Sequence, residues 1–164
     1  MKNSFKEYVW SQFGASIDML RNAINACPDE LWGDTGKQKQ YWYLAYHTLF
    51  WLDFYLTENP ESYIPFKDIG LTEHDPEGIY PERVFTKEEL LEYLEHGRRK
   101  CKDVISELTE EGADRTYIFG SINYSFLEMI LYNMRHVQHH TAQMNLILRQ
   151  ETDSAPRWVR QASK

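Results

Sequence analysis

Three of the six histidines in this chain fall within five residues, in the stretch "NMRHVQHHTAQ" (133–143). On a helical wheel His136 and His140 lie roughly 40° apart, and Gln143 falls roughly 20° to the other side of His136. Residues four apart on a helix are neighbours, so this pair is close enough to hold one divalent ion. His139 falls about 60° away from His136, among Glu128, Arg135 and Gln150, on the face that meets water. The cluster therefore reads as one candidate ligand pair and one bystander.

Two imidazoles alone make a weak metal site, and a third ligand has to come from elsewhere. His47 is the candidate, in "QYWYLAYHTLFWLDFYL" (40–56), where Tyr43, Phe50, Trp51 and Phe54 share its side of the helix. A histidine among so many large apolar groups needs a hydrogen-bond partner or a metal, because burying its ring nitrogens unpaired is costly. Three neutral imidazoles and an open position form a recurrent catalytic zinc arrangement. Imidazole suits nickel, iron and copper as well, so spacing does not select the metal. The competing reading is structural: paired histidines arise by chance, and a core histidine is ordinarily satisfied by a hydrogen bond. Gln143 fits either picture, as a group that orients a ligand or as a polar edge residue.

Four segments must position these side chains. The first carries Phe5, Val9, Phe13, Ile17, Leu20 and Ile24 at helical intervals, with Ser4 and Glu7 in capping-box spacing and a stop at Cys27-Pro28. The second, about Gln40 to Leu56, is apolar on nearly every side, which marks a helix surrounded by others. It is preceded by Gly33 and Gly36. The third begins at Thr86, with Glu89 completing a capping box, and is read as running to Gly112. The fourth begins near Ser125, again with a glutamate three residues on, and continues to about Gln150. A tail with Pro156 and Trp158 follows and is expected to dock. Between the second and third segments lies a connection of about thirty residues containing Pro60, Pro65, Pro76, Pro81, Gly70 and Gly78. Connections of this length are unusual and tend to be functional or to cross the end of a bundle. The expected fold is all-α: a single domain over residues 1–164, a four-helix bundle with one long crossover.

The totals agree with an ordinary globular domain of 164 residues, 42% hydrophobic and 26% charged. A formal charge of −7 argues against a nucleic-acid or anionic-membrane binder, since both need attraction to phosphate. No apolar run is long enough to span a bilayer, and the N-terminus lacks the apolar core of a signal peptide. Two cysteines, Cys27 and Cys101, are too few for a disulfide scaffold, so a cytoplasmic location with reduced thiols is expected.

Other polar groups are read more plainly. His74, between Glu73 and Asp75 in the long connection, is taken as a solvated turn in preference to a lid residue. "HGRRKCKD" (96–103) scatters around its helix and reads as a solvated face, with Cys101 as an inert core thiol. Glycine-rich phosphate loops and nucleophile elbows are absent from the sequence.

The histidine on an aromatic second helix preceded by "DELWG", the stretch "RHVQHHTAQMNLILRQ", the "FTKEELLEYL" helix start and the proline-tryptophan tail together resemble the DinB-like (damage-inducible, YfiT-like) metalloenzyme family. One departure is Ala142, where many members carry glycine before the glutamine. The resemblance implies an up-up-down-down four-helix bundle, often a homodimer, with a divalent transition metal on His47, His136 and His140. Zinc is the first expectation, with nickel and iron as alternatives. It also implies a small-molecule substrate, with a low-molecular-weight thiol as co-substrate, so that the expected activity is S-transfer. Metal-dependent hydrolysis, and a non-catalytic stress-associated bundle, are the alternatives.

Overall fold

The computed structural model describes residues 3–163 apart from 35–40, 76 and 78; Gly36, the expected helix start at Gln40, Pro76 and Gly78 lie outside the described residues. The chain is mostly helical. Its long elements are α1 (Asn3–Ala26), α3 (Tyr41–Tyr55), α4 (Lys87–Glu107) and α6 (Phe126–Thr152), with the short α2 (Asp29–Trp32) and α5 (Glu110–Asp114) between them.

Helix ends follow local chemistry. Thr86 and Ser125 each accept a hydrogen bond from the third helical N–H, and Glu89 and Glu128 reach back to the caps, so two of the three expected capping boxes form. α1 begins at Asn3, which puts Ser4 inside its first turn, and it stops ahead of Pro28 as the proline requires. α4 ends earlier than expected. Leu108 turns to extended geometry and Thr109 caps the separate helix α5 by accepting from the Gly112 N–H.

The all-α expectation is corrected by a small hairpin of β1 (Thr116–Phe119) and β2 (Ile122–Ser125), antiparallel, with Thr116 opposite Ser125 and Phe119 opposite Ile122. Gly120 makes its tight turn at φ 55°, a left-handed conformation that glycine adopts at little cost.

Each long helix packs on two others: α1 on α4 and α6, and α3 on α4 and α6. Side-chain contacts fix the directions. Lys6 reaches Ser106 and Arg98 reaches Asp18, so α1 and α4 are antiparallel. Trp42 meets Phe85 ahead of α4, and Asp53 meets Lys100 far along it, so α3 and α4 are parallel. His47 meets His136, and Tyr55 meets Tyr132, so α3 and α6 are antiparallel. The order is therefore up-down-down-up, and the expected up-up-down-down order is wrong. Because α3 and α4 run the same way, the chain must travel back along the helices to begin α4. The connection between them makes that return as an irregular strap which, among its described residues, carries three short 3-10 turns.

The core fills between these helices with Phe13, Ile17, Tyr46, Phe50, Phe54, Leu94 and Met129, all fully or almost fully buried. The C-terminal tail docks as expected: Ala162 N–H donates to Ser11 at 2.9 Å and Ser163 N–H to Asp18 at 2.7 Å. None of the helices is long and apolar enough to cross a membrane, among the described residues.

Candidate metal centre

α3 is buried on nearly every side, and Tyr43, His47 and Trp51 are its only partly exposed residues. They recur every fourth position and so form one stripe. α6 lies antiparallel alongside and presents His136 and His140 on successive turns. One ring nitrogen from each of His47, His136 and His140 lies within 4.8 Å of the other two. His139 is exposed on the outer side of α6, in ring contact with His140 alone among the three.

Hydrogen-bond partners fix which nitrogen faces inward on two of the three rings. His47 Nδ1 donates to Glu73 Oε2 at 2.7 Å. Glu73 is held as a carboxylate: burial raises its pKa, but hydrogen bonds from His47, Tyr43 and Trp51 outweigh burial and leave it below the ordinary range. An ionised carboxylate only accepts, so Nδ1 carries a proton, and this contact turns Nε2 of His47 toward His136. His140 Nδ1 donates to Gln143 Oε1 at 2.7 Å, which leaves its Nε2 free. Nε2 of His136 stands 3.3 Å from Nε2 of His47, and its Nδ1 is buried with no partner.

Burial lowers the pKa of His136 to about 3, helped by neighbouring His140 and His47. Burial also lowers His140, to about 4, against the raising influence of Gln143. Both rings are therefore neutral near pH 7, the form in which imidazole binds metal.

The donor set fits a divalent ion. Two imidazole nitrogens bound at about 2.0–2.1 Å to one tetrahedral ion stand about 3.3–3.4 Å apart, close to the His47–His136 spacing. A single shared proton could join two of these nitrogens, but it would leave the third unmet. A cation meets all three.

Glu73 is the residue that sequence reasoning missed, having weighed its neighbour His74 instead. Tyr43, His47 and Trp51 all carry donors on one stripe of an apolar helix, and that pattern required an acceptor from outside the helix. His74 is neither a lid residue nor a solvated turn. Its ring packs against Phe54 at 4.4 Å and Phe50 at 5.1 Å, and burial lowers its pKa. Nor is "HGRRKCKD" merely a solvated face. Lys100 donates to the buried carboxylate of Asp53 at 2.6 Å, and Arg98 donates to Asp18 at 3.0 Å. Cys101 is buried as expected, and its burial pushes the thiol well up.

A surface cleft of about 540 Å³ lies along α6, lined by His136 of the triad together with Tyr132, Arg135 and His139.

A family model described as the DinB superfamily matches residues 12–144, a span that includes all three histidines. The chain belongs to the DinB superfamily. No curated protein gives a significant match. For this DinB chain, the match runs from within α1 through most of α6, so it takes in all of α3 and the part of α6 that carries His136 and His140.

Proposed function

We propose that this DinB chain is a divalent-metal-dependent enzyme of four-helix-bundle type, with His47, His136 and His140 as ligands and zinc as the metal. The observation that carries the reading is the convergence of one ring nitrogen from each of three imidazoles, two of them held neutral by burial, with no acid or amide of the protein set between them. A bound divalent ion would supply Lewis acidity, lowering the pKa of a small thiol or water at the open position. The chain's own residues supply orientation. Glu73 holds His47 by Nδ1, Gln143 does the same for His140, and the cleft beside His136 gives a small molecule a way in.

The proposed reaction is transfer of a low-molecular-weight thiol to an electrophilic carbon. Both oxygens of Glu73 are already engaged by three donors, so this carboxylate is a poor base for activating water. A thiol starts from a pKa near 8.5 and loses its proton far more readily than water, near 15.7. That difference favours thiol transfer over hydrolysis.

The test is the metal content of protein purified without a histidine tag. About one equivalent of a transition metal is expected in the wild type and little in His47→Ala. Less than about 0.2 equivalents, unchanged by His47→Ala, would end the reading. Thiol-dependent turnover of an electrophile should then fall on chelation, and turnover that survives chelation would count against the mechanism.

A further inference from the structure

Tyr43, His47 and Trp51 stand on successive turns of α3, and each directs a hydrogen-bond donor at the same carboxylate. Tyr43 Oη donates to Glu73 Oε1 at 2.6 Å, while His47 Nδ1 and Trp51 Nε1 donate to Oε2 at 2.7 and 3.0 Å. The acceptor comes from the irregular strap, and only 6% of its side chain is exposed. A carboxylate buried this deeply persists only where its lone pairs are met. The ladder on α3 and the acid on the strap therefore hold one another in place.

We propose that Glu73 is a positioning residue of the metal centre, and that through it the strap and the metal strengthen one another. The inference rests on the three-histidine reading given above. Glu73 touches no reacting atom. Its carboxylate holds His47 by Nδ1, keeps Nε2 turned toward His136, and sets a negative charge behind the ring that favours a cation at Nε2.

The coupling follows from linkage. Whatever factor the Glu73 contact adds to metal affinity, bound metal must add to the stability of the Glu73 contact. The strap has other anchors near this point, among them the adjacent His74 ring packed on Phe54 and Phe50. Tyr46 Oη and Thr72 Oγ1 are 2.7 Å apart, Ile69 is buried, and Tyr63 donates to Asp53 at 3.0 Å. Metal loading thus tightens the strap over the α3 stripe, and a strap that lifts weakens the hold on the metal.

Glutamine at position 73 separates charge from shape. Its carbonyl oxygen can accept from His47 and Trp51, and its amide can donate to Tyr43 Oη, so the ladder survives without the charge. The experiment uses the full chain without a tag, as wild type, Glu73→Gln and Glu73→Ala. Zinc affinity is read by competition with a chromophoric chelator, and hydrogen exchange of residues 69–75 is followed with and without zinc. Glu73→Ala should bind zinc roughly 10–100-fold more weakly and lose the zinc-induced protection of the strap. Glu73→Gln should keep the metal-free protection of the strap yet bind zinc about tenfold more weakly than wild type.

Wild-type affinity in Glu73→Gln would reduce the acid to a structural role and overturn the proposal. Zinc-induced protection that persists in Glu73→Ala would do the same. Should the wild type bind no zinc, the three-histidine reading falls and takes this proposal with it. Should the wild type bind and both variants match it, only this proposal falls.

Discussion

His136 and His140 are kept neutral by burial, and that has a consequence for stability in the metal-free protein. Their pKa values in the folded chain, about 3 and about 4, lie below the ordinary 6.5 that the unfolded chain recovers. Between those values the unfolded state binds more protons, so stability rises with pH and falls as pH drops below 6.5. His74, also lowered by burial, acts with the same sign. The metal-free protein should therefore lose on the order of 4 kcal/mol between pH 7 and pH 5, about 2 from each of His136 and His140, seen as a lower urea midpoint. His136→Gln should flatten that slope, and a midpoint equal at both pH values would refute the argument. The three histidines that converge could be picked out from spacing and an apolar neighbourhood, because helical periodicity fixes which side chains share a face. Glu73 could not be found that way. It is one of 25 acidic residues, it lies in an irregular segment, and only the path of the strap brings it to His47.

The same contrast holds for the elements. Capped helices and a proline-stopped helix are local events, and the expected boundaries at Thr86, Ser125 and Pro28 match the structure. The hairpin was missed because each strand has four residues and only Tyr117 on β1 is buried, too little alternation to register. Helix direction was missed for another reason: it depends on which helices pair, and that is decided by contacts such as Asp53 with Lys100, far apart in the chain. Docking of the tail was legible, although its anchor is not Trp158, which is 66% exposed. The tail is held at Ser163 by Asp18 and Arg98, and it passes so close to Gly14 that an added Cβ would lie 2.6 Å from the Ala162 Cβ. Gly14→Ala should favour helix α1 by up to about 1 kcal/mol on propensity alone. It should nevertheless displace the tail, so that trypsin cuts after Arg157 and Arg160 several times faster than in wild type. Unchanged tail cleavage would show that the close approach is not what holds this segment.

Across the whole molecule, the proposed ligands come from two helices that are antiparallel neighbours, and the strap that joins α3 to α4 closes over one of them. Unfolding separates His47 from His136 and His140 by almost ninety residues of chain, so the unfolded state has no comparable site. A metal bound only by the folded state then adds about 2.7 kcal/mol at a free concentration one hundred times its dissociation constant. For a chain of this size that corresponds to a rise in melting temperature of about 5–10 °C. Scanning calorimetry with zinc and with a chelator should show this shift in the wild type. His140→Ala should abolish most of it, since the ring lies within the triad. His139→Ala, one position away and exposed, should retain it. A shift lost equally in both variants would mean that zinc binds the surface of α6 and not the face packed on α3, whereas a shift lost only in His140→Ala assigns the stabilisation to the interface between the two helices.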